Sequence, residues 1–266
     1  MYHLPVEPYV DRRALVSGAS SGIGEAFARA LVRRGQSVVI VARRAERLTQ
    51  LSQELGGEQR ALAIPMDLAE TGAAARLHEQ VTSRGIAVDL LVNNAGIGTT
   101  GRYVVEPKET TAGILALNVG TALELSRAFL PGMLERRRGA VINVCSMSAF
   151  QPVPFLATYA ASKAFLLSWS ESLAEELRGT GVIVQALCPG LVPTEFQHRA
   201  GTDTVAFNAA PKMAAELVAE ASLRALETRA LLVIPGWRDR LTLQLQRFLP
   251  RVLVRRVAGA LFRPPA

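Results

Sequence analysis

Seven short runs rich in Val, Ile and Leu recur along the chain, at 12–17, 37–42, 61–66, 88–93, 140–145, 181–187 and 230–234, alternating with stretches of helical spacing. None of the seven alternates cleanly between apolar and polar residues. Each is therefore expected to lie in a sheet covered on both faces, which is the situation of parallel strands. Strand–helix alternation of this kind predicts a doubly wound α/β fold, with ligands outside the C-terminal ends of the strands. At 266 residues the chain suits one such domain, able to remove roughly 70–75% of its unfolded surface from water. The intervening helices are expected near 25–34, 44–55 (with Leu48, Leu51 and Leu55 on one side), through Leu77 and Val81, 110–137, 157–178 and 209–226. The long fourth one is expected to bend at Pro131, and the last to be capped by Asn208 ahead of Pro211.

Apolar residues make up 49% and charged ones 20% of the chain, which excludes a disordered protein. Cys145 and Cys188 both fall in apolar runs and read as buried thiols rather than a disulfide framework. The first residues, MYHLPVEPYVDRR, lack the basic-then-apolar order of a signal peptide. No uncharged apolar window reaches ~18 residues, so no membrane-spanning helix is expected, and no metal site is. The net charge of +7 is unevenly placed: residues 238–263 hold seven Arg against one Asp, and so +6 of it. The chain thus divides into a domain over 1–236 and a basic amphipathic extension over 237–266.

Between the first run and the first helix lies Gly18-Ala19-Ser20-Ser21-Gly22-Ile23-Gly24. In that setting a glycine-rich turn brings backbone close to a pyrophosphate, and the helix N-terminus offers its free N–H groups. The second run ends in Ala42-Arg43-Arg44, where an NAD-selective site would carry a carboxylate. An arginine there can pair with a 2′-phosphate, so NADP(H) is the expected cofactor. Further on, Tyr159 and Lys163 stand four apart on a helix and face the same way. An ammonium beside a phenol is expected to lower the phenol's pKa towards neutrality.

Six elements in order give the chain its resemblance to the classical short-chain dehydrogenase/reductase family over about residues 11–235. They are Ser17-Gly18-x-x-x-Gly22-Ile23-Gly24, Asn93-Asn94-Ala95-Gly96, Asn118 in ALNVG, Ser146, Tyr159-x-x-x-Lys163 and Pro189-Gly190-Leu191-Val192-Pro193-Thr194. The resemblance implies a Rossmann-like single domain. It implies Tyr159 as general acid in carbonyl reduction and base in alcohol oxidation, Ser146 holding the reacting oxygen, and Lys163 on the nicotinamide ribose. Asn118 would support a water-linked proton path to Lys163. Cofactor contacts would come from Gly18, Ser20, Ser21, Gly22, Ile23, Gly24, Arg43, Arg44, Asp67, Leu68, Asn93, Ala95, Gly96, Tyr159, Lys163, Pro189, Gly190, Val192 and Thr194. Ser148 reads as a loop hydroxyl beside the site. Ser17 stands where the family usually has Thr, and keeps the hydroxyl. The chain also continues past Pro235-Gly236 where many members close with a short polar segment.

Loops 150–156 and 193–208, with Phe150, Val153, Phe155, Leu156, Phe196, Val205 and Phe207, are expected to wall an apolar pocket; Glu195, His198, Arg199 and Asp203 are their charges. The reading is an NADP(H)-dependent oxidoreductase, reducing a lipophilic ketone or aldehyde. It is expected to be cytoplasmic and to form a homodimer or homotetramer through the helices bearing Asn118 and Tyr159. Alternatives are an NAD-dependent alcohol or steroid-type dehydrogenase, and a low-turnover cofactor-binding, membrane-associated protein of the same fold. In the tail, Arg247, Arg251 and Arg255 form a stripe four apart opposite Leu249, Val252, Leu253, Val257 and Leu261. Two placements stay open for it: docked on protein, or in peripheral contact with the inner membrane surface. No nucleic-acid partner is expected, because the body is near neutral and holds no recognition motif.

Overall fold

Buried strands and the period-2 geometry of a sheet divide the apolar residues into two layers. In β1 (Arg13–Ser17), Ala14 and Val16 face one layer and Leu15 the other; in β2 (Ser37–Ala42), Val38 and Ile40 oppose Val39 and Val41. The first layer is completed by α1 (Gly22–Arg33), α2 (Ala45–Glu54) and a helix late in the chain, through Phe27, Leu31, Leu48 and Leu223. The second is completed by α3 (Ala73–Thr82) and a helix at mid-chain, through Leu77, Val81, Leu125 and Phe129. Both faces of the sheet are thereby dry, as parallel strands require.

The computed structural model describes residues 13–201 and 211–263. The remaining strands are β3 (Ala61–Pro65), β4 (Val88–Asn93), β5 (Gly139–Val144), β6 (Val182–Leu187) and β7 (Leu232–Val233). All pair in parallel, in the order β3-β2-β1-β4-β5-β6-β7. The order reverses between β1 and β4, and such a switch point opens a crevice at the strands' C-terminal ends. The remaining helices are α4 (Lys108–Leu115), α5 (Thr121–Glu135), α6 (Ala157–Glu176), α7 (Glu195–Ala200), α8 (Ala215–Glu227), α9 (Trp237–Gln246) and α10 (Arg251–Leu261). The expected cap Asn208, and Val205, Phe207 and Asp203, lie outside the described residues.

The long helix breaks elsewhere than expected. Pro131 sits inside α5, on its exposed side, where the carbonyl it leaves unbonded can be hydrated. The irregularity is instead a π-helical turn at Ala116–Gly120, centred on Asn118. Such turns are frequent at functional sites. The helical run Lys108–Glu135 is, among the described residues, long and apolar enough to cross a membrane by length and composition, but 44% of its most apolar stretch lies buried in the fold. Leu125, Phe129 and Met133 are core residues. Cys145 and Cys188 are free and buried.

Candidate active site

The glycine turn is fixed by sterics and by one hydroxyl. Gly18 has φ +67° and packs on Ala95, while a Cβ on Gly24 would overlap the Gly18 carbonyl oxygen. The Ser17 hydroxyl donates to Val92 O (3.1 Å) and accepts from the N–H groups of Asn94 (2.9 Å) and Ala95 (3.0 Å). Asn94 Nδ2 donates to Ser17 O (2.9 Å) and Gly18 O (3.2 Å). Asn94 thus locks the turn to the end of β4, a role that spacing alone did not reveal. In α1 the N–H of Glu25 is bonded to Ser21 O; the N–H groups before it precede the helical ladder and face the cleft mouth. This cradle fits a pyrophosphate.

Asn93 is placed differently from expectation. It is buried, donating to Asn143 Oδ1 (2.8 Å) and Ser126 Oγ (3.1 Å), and does not line the cleft. As the last residue of β4, it points into the layer beneath the sheet while its neighbour Asn94 points to the ligand side, which is the strand alternation at work.

At the other end of the turn, Arg43 and Arg44 both line the cleft. Arg44 donates from Nε (3.2 Å) and Nη2 (3.0 Å) to Ser20 Oγ and from Nη2 to Ser20 O (3.1 Å), and its Nη1 pairs with Glu195 Oε2 at 2.9 Å. Arg43 lies 3.7 Å from Asp67, whose Oδ1 accepts from Ala69 N. Glu195 also pairs with Arg199 at 2.7 Å. The short helix α7 is therefore pinned by ions to the end of the cleft that holds Arg44, and closed by a capping box, Thr194 with Gln197.

Ser146, Tyr159 and Lys163 meet at the opposite end, where β5 and α6 converge, and all three line the cleft. Burial pushes the Tyr159 phenol up to about 12, while its hydrogen bond with Ser146 pulls the other way. Burial lowers the pKa of Lys163, whose Nζ donates to Val144 O (2.7 Å) and lies 5.8 Å from the Tyr159 ring centroid. The expected lowering of the phenol by Lys163 is thus overturned in this form. The dry setting, including the Phe196 ring 5.2 Å away, outweighs an ammonium turned to a carbonyl. Asn118 is buried behind Lys163 and does not line the cleft: its Oδ1 accepts from Ile97 N (2.8 Å), and its Nδ2 donates to Ile97 O (2.9 Å) and Ser162 Oγ (3.0 Å).

These ends are joined by one cleft of about 610 Å³, which Ser20, Ser21, Gly22, Ile23, Leu68, Ala95, Gly96, Pro189, Gly190, Val192 and Thr194 also line, as do Val153, Leu156 and Phe196. Gly24 sits behind it as a packing residue. The C-terminal extension contributes Arg238, Asp239, Thr242 and Phe262 to the lining, residues that motif reading did not reach. Phe262 packs with Val153, Leu156, Ala160 and Tyr159, and Val254 and Ala258 are buried. Burial raises the pKa of Asp239, which rests on Gly190. Among the described residues, no group of three or more His, Cys, Asp and Glu is placed to hold a metal.

A family model described as short chain dehydrogenase matches residues 12–204. The chain belongs to this family. A short chain dehydrogenase from Pseudocercospora fijiensis is 43% identical over 188 residues, 70% of this chain and 61% of that protein, so the chain spans about three fifths of that relative's length. The ketoacyl reductase HetN of Nostoc is 34% identical over 230 residues, 84% of this chain and 78% of that one. Among solved structures, the short-chain dehydrogenase of Sphingobium yanoikuyae in complex with NADPH aligns at a TM-score of 0.78 and 30% identity, covering 90% of this chain and 96% of that one. A short chain dehydrogenase/reductase from Burkholderia phymatum in complex with NAD aligns at 0.82 and 25%, covering 93% and 96%. The seven-stranded parallel sheet and the dinucleotide cleft are those of a short chain dehydrogenase.

Proposed function

We propose that this chain is an NADP(H)-dependent oxidoreductase that reduces a lipophilic ketone or aldehyde to the alcohol. The observation that carries it is the pairing of two cleft-lining arginines, Arg43 and Arg44, with a β2 end that offers no carboxylate to a ribose 2′-hydroxyl. The glycine cradle and the free N–H groups of α1 would hold the pyrophosphate, and Lys163 the nicotinamide ribose. When bound, NADPH supplies the hydride. The chain's own part is the proton: Tyr159, a phenol through the neutral range, delivers it to the substrate oxygen. Ser146, hydrogen-bonded to Tyr159, stabilises that oxygen as charge builds on it. Walls from Val153, Leu156, Phe196 and Phe262 favour a substrate with apolar flanks.

Support for a homodimer or homotetramer comes from α6, which leaves Phe165 47% exposed beside the exposed Ala161 and Ser168. The proposed setting is the cytoplasm, with the C-terminal helices touching the inner membrane surface.

A second reading, NAD use, draws on one contact: the Arg44 guanidinium is already engaged by Ser20 and Glu195. Fluorescence titrations with NADPH and NADH, on the wild-type chain and on an Arg43→Gln/Arg44→Gln variant, separate the two. The proposal expects at least a tenfold preference for NADPH, about 1.4 kcal/mol, lost in the variant. Equal affinities in the wild type would leave the NAD reading standing.

A further inference from the structure

The helix that closes the cleft has a second side. On α9, Asp239, Leu243 and Gln246 are half-buried at helical spacing and face the body. Directly opposite, Trp237, Leu241 and Leu245, with Phe248 in the turn that follows, are exposed by 69%, 49%, 58% and 85%. At 100° per residue Trp237, Leu241 and Leu245 fall within one quarter-turn of the helix. On α10, Val254 and Ala258 face inward, and Leu253, Val257 and Leu261 form an exposed row beside them. An apolar face of this extent is rare on a monomeric soluble protein. On its flanks Arg238, Arg240 and Arg256 are exposed, and none forms an ion pair among the described residues; Arg238 lies 5.4 Å over the Trp237 ring and Arg240 Nε donates to Ile234 O (2.8 Å), while Arg251 and Arg255 lie across α10 from the apolar row.

We infer that α9 and α10 together form a docking face for an anionic lipid bilayer. The chemistry of the face selects this occupant. Apolar side chains pointing straight out need hydrocarbon, and unpaired arginines around them need anions. A bilayer bearing acidic headgroups supplies both at the same depth, with arginine stems lying along the apolar layer and guanidinium groups at the phosphates. A second copy of this chain would meet arginine with arginine, and a nucleic acid would leave the apolar row in water. The inward side of the same helix lines the cleft through Asp239 and Thr242. Docking therefore brings the cleft to within about one helix diameter, ~10–12 Å, of the headgroups. This extends the lipophilic-substrate reading and rests on it for its purpose, though not for the binding itself.

The test is flotation of the full chain with vesicles of phosphatidylcholine containing about a third phosphatidylglycerol, and with pure phosphatidylcholine, at low and high salt. Two variants accompany it: Leu241→Ser/Leu245→Ser/Phe248→Ser, and Arg240→Gln/Arg256→Gln. Circular dichroism and NADPH affinity check that both remain folded. The inference expects partition into acidic vesicles only, weakened at least about tenfold by the serine variant and about tenfold or more by the glutamine variant or by high salt. Absence of flotation with acidic vesicles overturns it, as does equal flotation of wild type and serine variant. A wild-type oligomer that the serine variant halves in mass also overturns it, because the face is then a subunit interface. Flotation is read without turnover. A chain that floats but reduces no carbonyl removes the reductase reading alone, and one that reduces carbonyls but does not float removes the docking face alone.

Discussion

Replacing Glu195 by Gln isolates the contact between the short helix α7 and Arg44, the proposed 2′-phosphate ligand. Arg44 Nη1 lies 2.9 Å from Glu195 Oε2, with the two side chains 32% and 44% exposed. An ion pair this open is screened, and is worth about 0.5–1 kcal/mol. A 2′-phosphate approaching Arg44 must replace or share that carboxylate, and its own negative charge is repelled by it. Removing the charge while keeping the carboxylate's shape releases this opposing term. NADPH should then bind about two- to fivefold more tightly, the conversion of 0.5–1 kcal/mol, and NADH affinity should not move. The assay is a fluorescence titration with each nucleotide on both proteins, repeated at high salt, where the gain should shrink. Weaker NADPH binding in the variant would mean that Glu195 holds Arg44 in its working position. Equal tightening for both nucleotides would mean that the effect comes from loosening α7 and not from the phosphate.

Ser17→Ala leaves the N–H groups of Asn94 and Ala95 without their acceptor in a buried turn, and should cost about 2–3 kcal/mol of stability; Ser17→Thr keeps the hydroxyl and should be tolerated, both read by urea unfolding. Tyr159 has a folded pKa of about 12 against 10 unfolded. The linked stability is therefore full below pH 10 and falls as pH rises from 10 to 12, by about 3 kcal/mol in total. Comparing unfolding midpoints of wild type and Tyr159→Phe across that range checks it, and parallel curves would refute it. Phe196→Ala admits water to Tyr159 and should bring its ionisation back towards 10, seen in tyrosinate absorbance as an earlier step that Tyr159→Phe abolishes.

What the sequence disclosed follows from the range of the forces involved. Strands such as 37–42 and 140–145 were legible because burial on both faces leaves a continuous apolar run. The glycine turn and the Tyr159–Lys163 pair were legible because their chemistry fixes a short spacing. The π turn at Asn118 carries no compositional mark, whereas Pro131 does, so the expected bend fell on the wrong residue. Asn93 and Asn94 are identical as letters, and only the pleat at the end of β4 decides which faces the ligand. Contacts that join distant segments, such as Arg44 with Glu195 or Phe262 with the Tyr159 cluster, leave no local pattern. The Tyr159 ionisation leaves no local pattern either, since it depends on how completely the side chain's surroundings exclude water.

The most direct test of the account is single-turnover oxidation of bound NADPH by a hydrophobic ketone, followed at the nicotinamide absorbance, for the wild-type chain and for Tyr159→Phe. The account predicts rapid turnover in the wild type, a loss of at least about a hundredfold in the variant, and unchanged NADPH affinity in both. Equal rates in the two proteins would contradict it, because the proton would then reach the substrate oxygen by a route that does not pass through Tyr159.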